Sequence, residues 1–148
     1  TDALESIPYV AGVNNHMGSK LTQLPVPMHA VMETLSSRQL FFLDSRTSEF
    51  SVAEDTAKSV GVKSSRRHVF LDNETDKAYL AQQFKSLLRY ARKHGSAVAI
   101  GHPYPETLDF LKQHLPQLEE QGIELVFASE LTVAPNRSMS LLPVTSAK

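Results

Sequence analysis

Five short apolar runs, each bounded by glycine or polar residues, alternate with segments of helical periodicity, and this alternation limits the possible folds more than any other feature. Four of the runs are continuously apolar, as is typical of strands buried on both faces of a parallel sheet. The strands predicted from these runs cover residues 9–13, 40–43, 69–71, 97–100 and 123–127.

The segments between the runs carry apolar residues at helical spacing. The clearest helix is predicted from Thr75, its N-cap, to His94, with Gly95 ending it. Three further helices are predicted, over residues 28–35, over residues 51–60 with Ser51 as N-cap, and after Pro105.

This order of strands and helices predicts right-handed βαβ units and a parallel α/β sheet. Five strands are too few for an eight-stranded barrel, and they fit an open sheet or an incomplete barrel. The length of 148 residues predicts one domain, which we place at residues 1–133. Residues 134–148 lack periodicity and are predicted to be an irregular or disordered tail.

The composition excludes several classes of function. There are 15 basic and 16 acidic residues and neither half is strongly basic, so no nucleic-acid surface is predicted. The chain has no cysteine, which leaves His, Asp and Glu as the ligands for any metal. No apolar run approaches the roughly 20 residues of a membrane span. The chain begins with neither Met nor a signal peptide, so we expect a processed or trimmed product.

Polar residues follow every predicted strand, at the end where the sites of parallel α/β folds lie. His16 and His102 give the strongest signal, because histidine is not a preferred turn residue. For Asp72 and Ser129 the preferred interpretation is a turn or capping role. The position of Asp44 leaves a site role and a structural role equally open.

Other polar residues give weaker signals. Arg46 suits an anion, sugar hydroxyls or a carboxylate partner, and its position leaves these open. A serine triad through Ser19 or Ser45 stays an alternative, although no Gly-x-Ser-x-Gly motif is present. The remaining histidines are predicted to be solvated, to cap helices or to lie at the wrong end of a strand, and they are His29, His68, His94 and His114.

Four motifs in the chain resemble those of the divergent polysaccharide deacetylase family of bacteria. They lie at residues 12–19 (Gly-Val-Asn-Asn-His-Met-Gly-Ser), 42–47, 69–73 and 100–103. The resemblance implies a distorted seven-stranded β/α barrel. It also implies a divalent metal, held by one Asp and two His, that activates water to attack an acetyl group on a sugar. A second Asp would act as base, and a histidine on a late strand as acid.

The resemblance also implies roles for the matched residues. His16 would be a metal ligand, with zinc as the expected metal, and His102 the general acid. Asp44 would be the site acid that orients or charges His102. The residues implied to line the substrate pocket are Asn15, Ser19, Ser45, Arg46 and Asp72.

Family members usually carry an early Asp-Asp pair and a His-x-Pro-Met segment, and neither is present here. We therefore expect the N-terminal catalytic segment to be missing, and expect the chain to associate with that segment or to form a homodimer. The predicted function is a periplasmic or cell-envelope hydrolase that deacetylates a glycan. A non-catalytic glycan-binding or envelope-regulatory module on the same fold is the alternative.

Overall fold

The structure is a computed structural model that describes residues 2–134, so residues 135–148 of the predicted tail lie outside the described part. Within it, parallel strands alternate with helices, which confirms the α/β prediction. The elements are α1 (Asp2–Glu5), β1 (Gly12–Asn14), α2 (Pro25–Ser37), β2 (Phe41–Asp44), α3 (Ala53–Val60), β3 (Ser64–Arg66), β4 (Val69–Phe70), α4 (Lys77–His94), β5 (Ala99–Ile100) and α5 (Pro105–His114).

The strands form two parallel groups rather than one sheet. β2 lies between β1 and β3, with Gly12 opposite Phe41 and Asp44 opposite Arg66. β4 pairs with β5, with Val69 opposite Ala99. In residues 2–134 these five strands do not close a barrel, and the seven strands that the resemblance implies are not all observed.

Residues 123–127 are irregular in the structure, so the fifth predicted strand is wrong. They lead into a 3₁₀ turn at Ala128–Leu131, and Leu125 and Phe127 are exposed. An apolar run becomes a strand only where a neighbouring strand satisfies its backbone N–H and C=O groups. In the described part of the chain, residues 123–127 are not paired with β5 or any other strand.

β3 was not predicted, because Ser64–Arg66 carries no apolar run. Its pairing with β2 supplies the stabilisation that its side chains lack. The Phe42 amide donates to the Lys63 carbonyl over 2.9 Å, and Ser64 forms an antiparallel bridge with Val133.

The predicted helices are confirmed, with shifts at their N-termini. Asp76, rather than Thr75, caps α4, and its carboxylate accepts the amides of Ala78 and Tyr79 over 3.0 Å each. The N-cap of α3 is Val52 rather than Ser51. No helix in residues 2–134 is long and apolar enough to cross a bilayer.

Each group of strands has its own apolar core. α2 and α3 cover the first group, where Met32 is fully buried. α4 and α5 cover the second, where Leu80 is fully buried and Phe84 meets Phe110 edge to face at 5.5 Å. The carboxyl ends of the strands lie beyond both cores, and polar loops follow them.

His68 fixes the start of the β4–β5 pair. Its amide donates to the Val98 carbonyl over 2.8 Å, and its Nδ1 accepts the Val98 amide over 2.9 Å. Burial lowers the pKa of His68, and the neighbouring Arg66 cation lowers it further. The ring is therefore neutral at neutral pH, as an acceptor at Nδ1 requires.

Replacing Leu80 by Ala should lower the free energy of unfolding by about 2–5 kcal/mol, because the cavity would lie in the centre of the second core. Urea denaturation measures this change. Leu108→Ala removes the same atoms from a side chain that is 43% exposed, and it should cost under about 1 kcal/mol. Equal losses in the two variants would contradict this description of the core.

The stability of the protein should fall as the pH drops below about 6.5. Because folding lowers the pKa of His68, the unfolded chain binds more protons in this range and acid favours unfolding. Urea midpoints at about pH 7.5 and about pH 5.5 should differ less in His68→Gln than in the wild type. The control His29→Gln alters an exposed histidine and should keep the wild-type difference. A wild-type difference retained in His68→Gln would refute the assignment.

Candidate functional site

His102 and Asp72 form a hydrogen-bonded pair at the carboxyl ends of β5 and β4. Asp72 Oδ1 lies 3.0 Å from His102 Nδ1, while Oδ2 accepts the His102 amide over 2.5 Å and the Thr107 hydroxyl over 3.0 Å. The Asp72 side chain is fully buried and the His102 side chain is 29% exposed. The carboxylate thus fixes the ring through Nδ1 and leaves Nε2 available for chemistry.

The two strand ends place these residues side by side. The Leu71 amide donates to the Ile100 carbonyl over 2.9 Å, which holds β4 and β5 in register one residue before the pair. A Cβ atom on Gly101 would lie 3.1 Å from Asp72 Oδ2. Glycine therefore lets the carboxylate approach the backbone closely enough to accept the His102 amide.

His16 lies in the loop after β1, and its ring packs edge to face on the His102 ring with centroids 5.9 Å apart. Asn15 shapes this loop, since its Nδ2 donates to the Met17 carbonyl over 3.0 Å. Met17 and Gly18 have φ angles of 56° and 78°, in the left-handed region, so the chain turns sharply there. The two histidines singled out from the sequence therefore lie in one site.

The loops after β1 and β2 are tied together by side chains predicted to bind substrate. Asn15 Oδ1 accepts the Ser45 amide over 2.8 Å, and Asn14 Nδ2 donates to Ser45 Oγ over 3.2 Å. Ser19 Oγ donates to the Thr47 carbonyl over 3.2 Å. In residues 2–134 neither serine hydroxyl is hydrogen-bonded to a histidine, so no serine–histidine pair supports the triad alternative.

Asp44 is buried at the end of β2, and its carboxylate accepts hydrogen bonds from the loop that follows this strand. Its Oδ1 accepts the Arg46 amide over 2.8 Å, and its Oδ2 accepts the Ser51 hydroxyl over 2.7 Å. The prediction that Asp44 orients His102 is therefore wrong, because Asp72 makes that contact. The physical reason is strand order: Asp72 follows β4, the partner of β5, whereas Asp44 belongs to the other group of strands. A catalytic role for Asp44 stays a prediction.

Arg67 joins the two groups of strands and was not predicted from the sequence. Its Nε donates to the Ser45 carbonyl over 2.6 Å and its Nη2 to the Arg46 carbonyl over 2.8 Å. Its guanidinium lies 5.2 Å from the centre of the Phe70 ring, which lies 5.6 Å from the His102 ring. Burial lowers the pKa of Arg67, yet an arginine stays cationic at neutral pH.

Of two further residues near the site, Arg46 was predicted from the sequence and Tyr104 was not. Tyr104 lies two residues after His102, and the centres of their rings are 5.3 Å apart. Arg46, one of the predicted pocket residues, has a left-handed φ of 50° and donates from Nη2 to the Glu49 carbonyl over 3.2 Å. The substrate-binding roles of Arg46, Asn15, Ser19 and Ser45 stay predictions.

The described residues do not by themselves complete a metal site. Among residues 2–134 no group of three or more His, Asp or Glu side chains is arranged to hold a metal ion. The two imidazoles of His16 and His102 lie together, but both oxygens of Asp72 accept hydrogen bonds from His102 and Thr107. His16 as a metal ligand stays a prediction.

Replacing Thr107 by Val should lower the free energy of unfolding by about 1–3 kcal/mol, because it removes a donor from a buried carboxylate. Thr107→Ser keeps the hydroxyl and loses only a methyl group, so it should be the milder change. Urea denaturation of both variants makes the comparison. A Val variant as stable as the wild type would show that the hydroxyl does not support Asp72.

Known proteins are similar to this chain in sequence and in fold. Residues 1–132 match the model of the family described as divergent polysaccharide deacetylase. A protein of Haemophilus influenzae is 51% identical over 115 residues, covering 78% of this chain and 41% of that protein. YibQ of Escherichia coli K12 is 41% identical over 141 residues, covering 95% of this chain and 44% of YibQ. Both relatives are described as uncharacterized proteins.

A solved structure agrees with these matches. The crystal structure of an uncharacterized protein from Agrobacterium tumefaciens C58 superposes with a TM-score of 0.80 at 27% identity, over 82% of this chain and 49% of that one. The chain thus spans less than half the length of each of these relatives. The family match over nearly all the described residues nonetheless shows that the chain belongs to the divergent polysaccharide deacetylase family.

Proposed function

We propose that the chain carries part of the active site of a hydrolase that removes acetyl groups from a polysaccharide or oligosaccharide. Membership of the family supports a hydrolase with a carbohydrate substrate. The observation that carries the proposal is the pair of His102 and buried Asp72, with His16 beside it at the carboxyl ends of the strands.

The pair suits proton transfer to a leaving group. When Nδ1 of His102 donates to Asp72, Nε2 is the atom that holds and delivers a proton. The buried carboxylate keeps the ring from turning. Deacetylation needs such a donor, because the sugar amine or hydroxyl is a poor leaving group unless it is protonated.

The remaining roles follow the family pattern. His16 is the proposed ligand of a divalent cation, with zinc as first choice, together with ligands beyond residues 2–134. Such a cation, when bound, lowers the pKa of water and polarises the acetyl carbonyl. Asp44 is proposed as a further acid of the site. Asn15, Ser19, Ser45 and Arg46 are proposed to line the glycan pocket, and Tyr104 offers an exposed ring beside His102.

The cellular location and the association of the chain with further protein are also proposed, from the family and from the length of its relatives. An acetylated envelope glycan as substrate favours the periplasm or the cell envelope. Because the chain spans less than half of its relatives, its association with further protein or with a second copy is part of the proposal.

Asp72→Asn should lower kcat for acetate release from an N-acetylated chitooligosaccharide by about 100-fold or more, with a small change in KM. The amide can turn its NH₂ group toward Nδ1 and then no longer holds the tautomer in which Nδ1 is the donor. The assay uses the protein together with the segment or second copy that supplies the remaining ligands, with zinc added, and Tm measurements confirm that the variants fold. Asp109→Asn is the matched control, since it neutralises an exposed carboxylate on α5 and should leave kcat unchanged.

Measurements of acetate release and of glycan binding distinguish a deacetylase from a non-catalytic glycan-binding module. An Asp72→Asn variant that folds and retains full activity would remove the basis for a catalytic His102. Saturable glycan binding by the wild type, without any acetate release in the presence of zinc, would favour a non-catalytic glycan-binding module on this fold.

A further inference from the structure

We propose a second binding site on this protein, for a saccharide that carries an anionic group. The site is a cleft of about 670 Å³, hereafter the α4 cleft, between residues 67–70 at the start of β4 and the face of α4 that runs from Tyr79 to His94. This volume is within the range of clefts that hold small ligands. The inference goes beyond the proposed deacetylase, because it concerns binding rather than chemistry.

The α4 cleft is lined by cations and by no carboxylate. Arg67, Arg89 and Lys93 contribute the charges, and none of its lining residues is Asp or Glu. Within residues 2–134 none of these three cations forms an ion pair with a carboxylate. Glu54, whose charge acts on His68 from outside the cleft, is already paired with Lys58 and Arg66. The charge of Asp44, which lies outside the cleft, already acts on Arg67, so Arg89 and Lys93 are the cations left to attract an anionic ligand.

Aromatic rings line the same cleft. His68 packs on Tyr90 with ring centres 4.5 Å apart, and Tyr90 packs on His94 at 4.3 Å. Tyr79 adds a further half-buried ring at the N-terminal end of α4. Since the His68, Tyr90 and His94 rings pack on one another, Tyr79, whose ring is not stacked on another ring within residues 2–134, offers the flat apolar face that suits a sugar ring.

Uncharged hydrogen-bonding side chains in the cleft favour a saccharide over a bare anion as the ligand. Gln83, Tyr79 and Tyr90 line the cleft, and in residues 2–134 neither the Gln83 amide nor the two hydroxyls are hydrogen-bonded to another group of the protein. Such groups match sugar hydroxyls. The net charge of −1 over the whole sequence argues against an extended polyanion such as nucleic acid.

The α4 cleft borders the candidate active site through Phe70. The Phe70 ring contacts the Arg67 guanidinium and the His102 ring, at 5.2 Å and 5.6 Å. The proposal nevertheless stands without any catalytic activity, since binding is measured without turnover. A failure of the deacetylase assay therefore leaves it intact, and its own failure leaves the active-site proposal intact.

Calorimetric titration of the purified protein with trigalacturonate tests the proposal, with neutral chitotriose and inorganic phosphate as comparison ligands. Trigalacturonate should bind, and the double variant Arg89→Gln/Lys93→Gln should weaken it by about tenfold. The matched control Lys85→Gln/Arg92→Gln removes two charges from the same helix outside the cleft and should stay within about twofold of the wild type. All four side chains are exposed, so the variants should keep the wild-type Tm.

A second readout comes from tyrosine emission, which reports on the cleft because the chain has four tyrosines and no tryptophan. Trigalacturonate should change this emission in the wild type, and the change should disappear in Tyr79→Phe/Tyr90→Phe, which removes the two tyrosines that line the cleft. No binding by the wild type, equal weakening in both charge variants, or equal affinity for chitotriose would overturn the site. Phosphate binding as tightly as trigalacturonate would overturn the saccharide assignment.

Discussion

The buried carboxylate of Asp72 is the constraint on which the carboxyl-end site depends. Removing a charge from water is costly unless hydrogen bonds replace the lost solvation. Here the donors are the amide and ring of His102 and the hydroxyl of Thr107, so one side chain joins the end of β4, the end of β5 and the start of α5. Gly101 makes this approach possible. Because the buried Asp72 carboxylate needs these hydrogen-bond donors, the imidazole of His102 is held in one orientation.

A second constraint comes from the separation of the strands into two groups with two cores. His16 is supplied by the first group and His102 by the second, so their contact depends on what holds the groups together. Arg67 has that role: it donates to carbonyls of the β2 loop while its guanidinium covers Phe70 of β4. Hydrogen bonds to a charged donor are stronger than those between neutral groups, which suits a junction without an apolar core.

The sequence predicts what depends on local pattern and misses what depends on pairing. The apolar runs and the helical stripe of α4 indicate the parallel α/β fold, and His16 and His102 stand out because histidine is unusual after strands. Asp44 and Asp72 follow strands in the same way, and only strand order shows which one adjoins His102. Ser64–Arg66 and residues 123–127 show the same limit. The first segment is a strand because it pairs with β2, and the second is not, because in the described residues no strand pairs with it.

The position of Phe70 links binding to chemistry. Its ring contacts both the Arg67 guanidinium and the His102 ring, so the α4 cleft and the active-site histidine have Phe70 in common. We infer that a glycan with an acidic residue in the cleft extends past Phe70 toward His102. Binding energy gained away from the reacting bond can be used to position that bond. An enzyme built this way would act on acidic, acetylated chains faster than on neutral ones, because the anion holds the chain while the histidine transfers its proton.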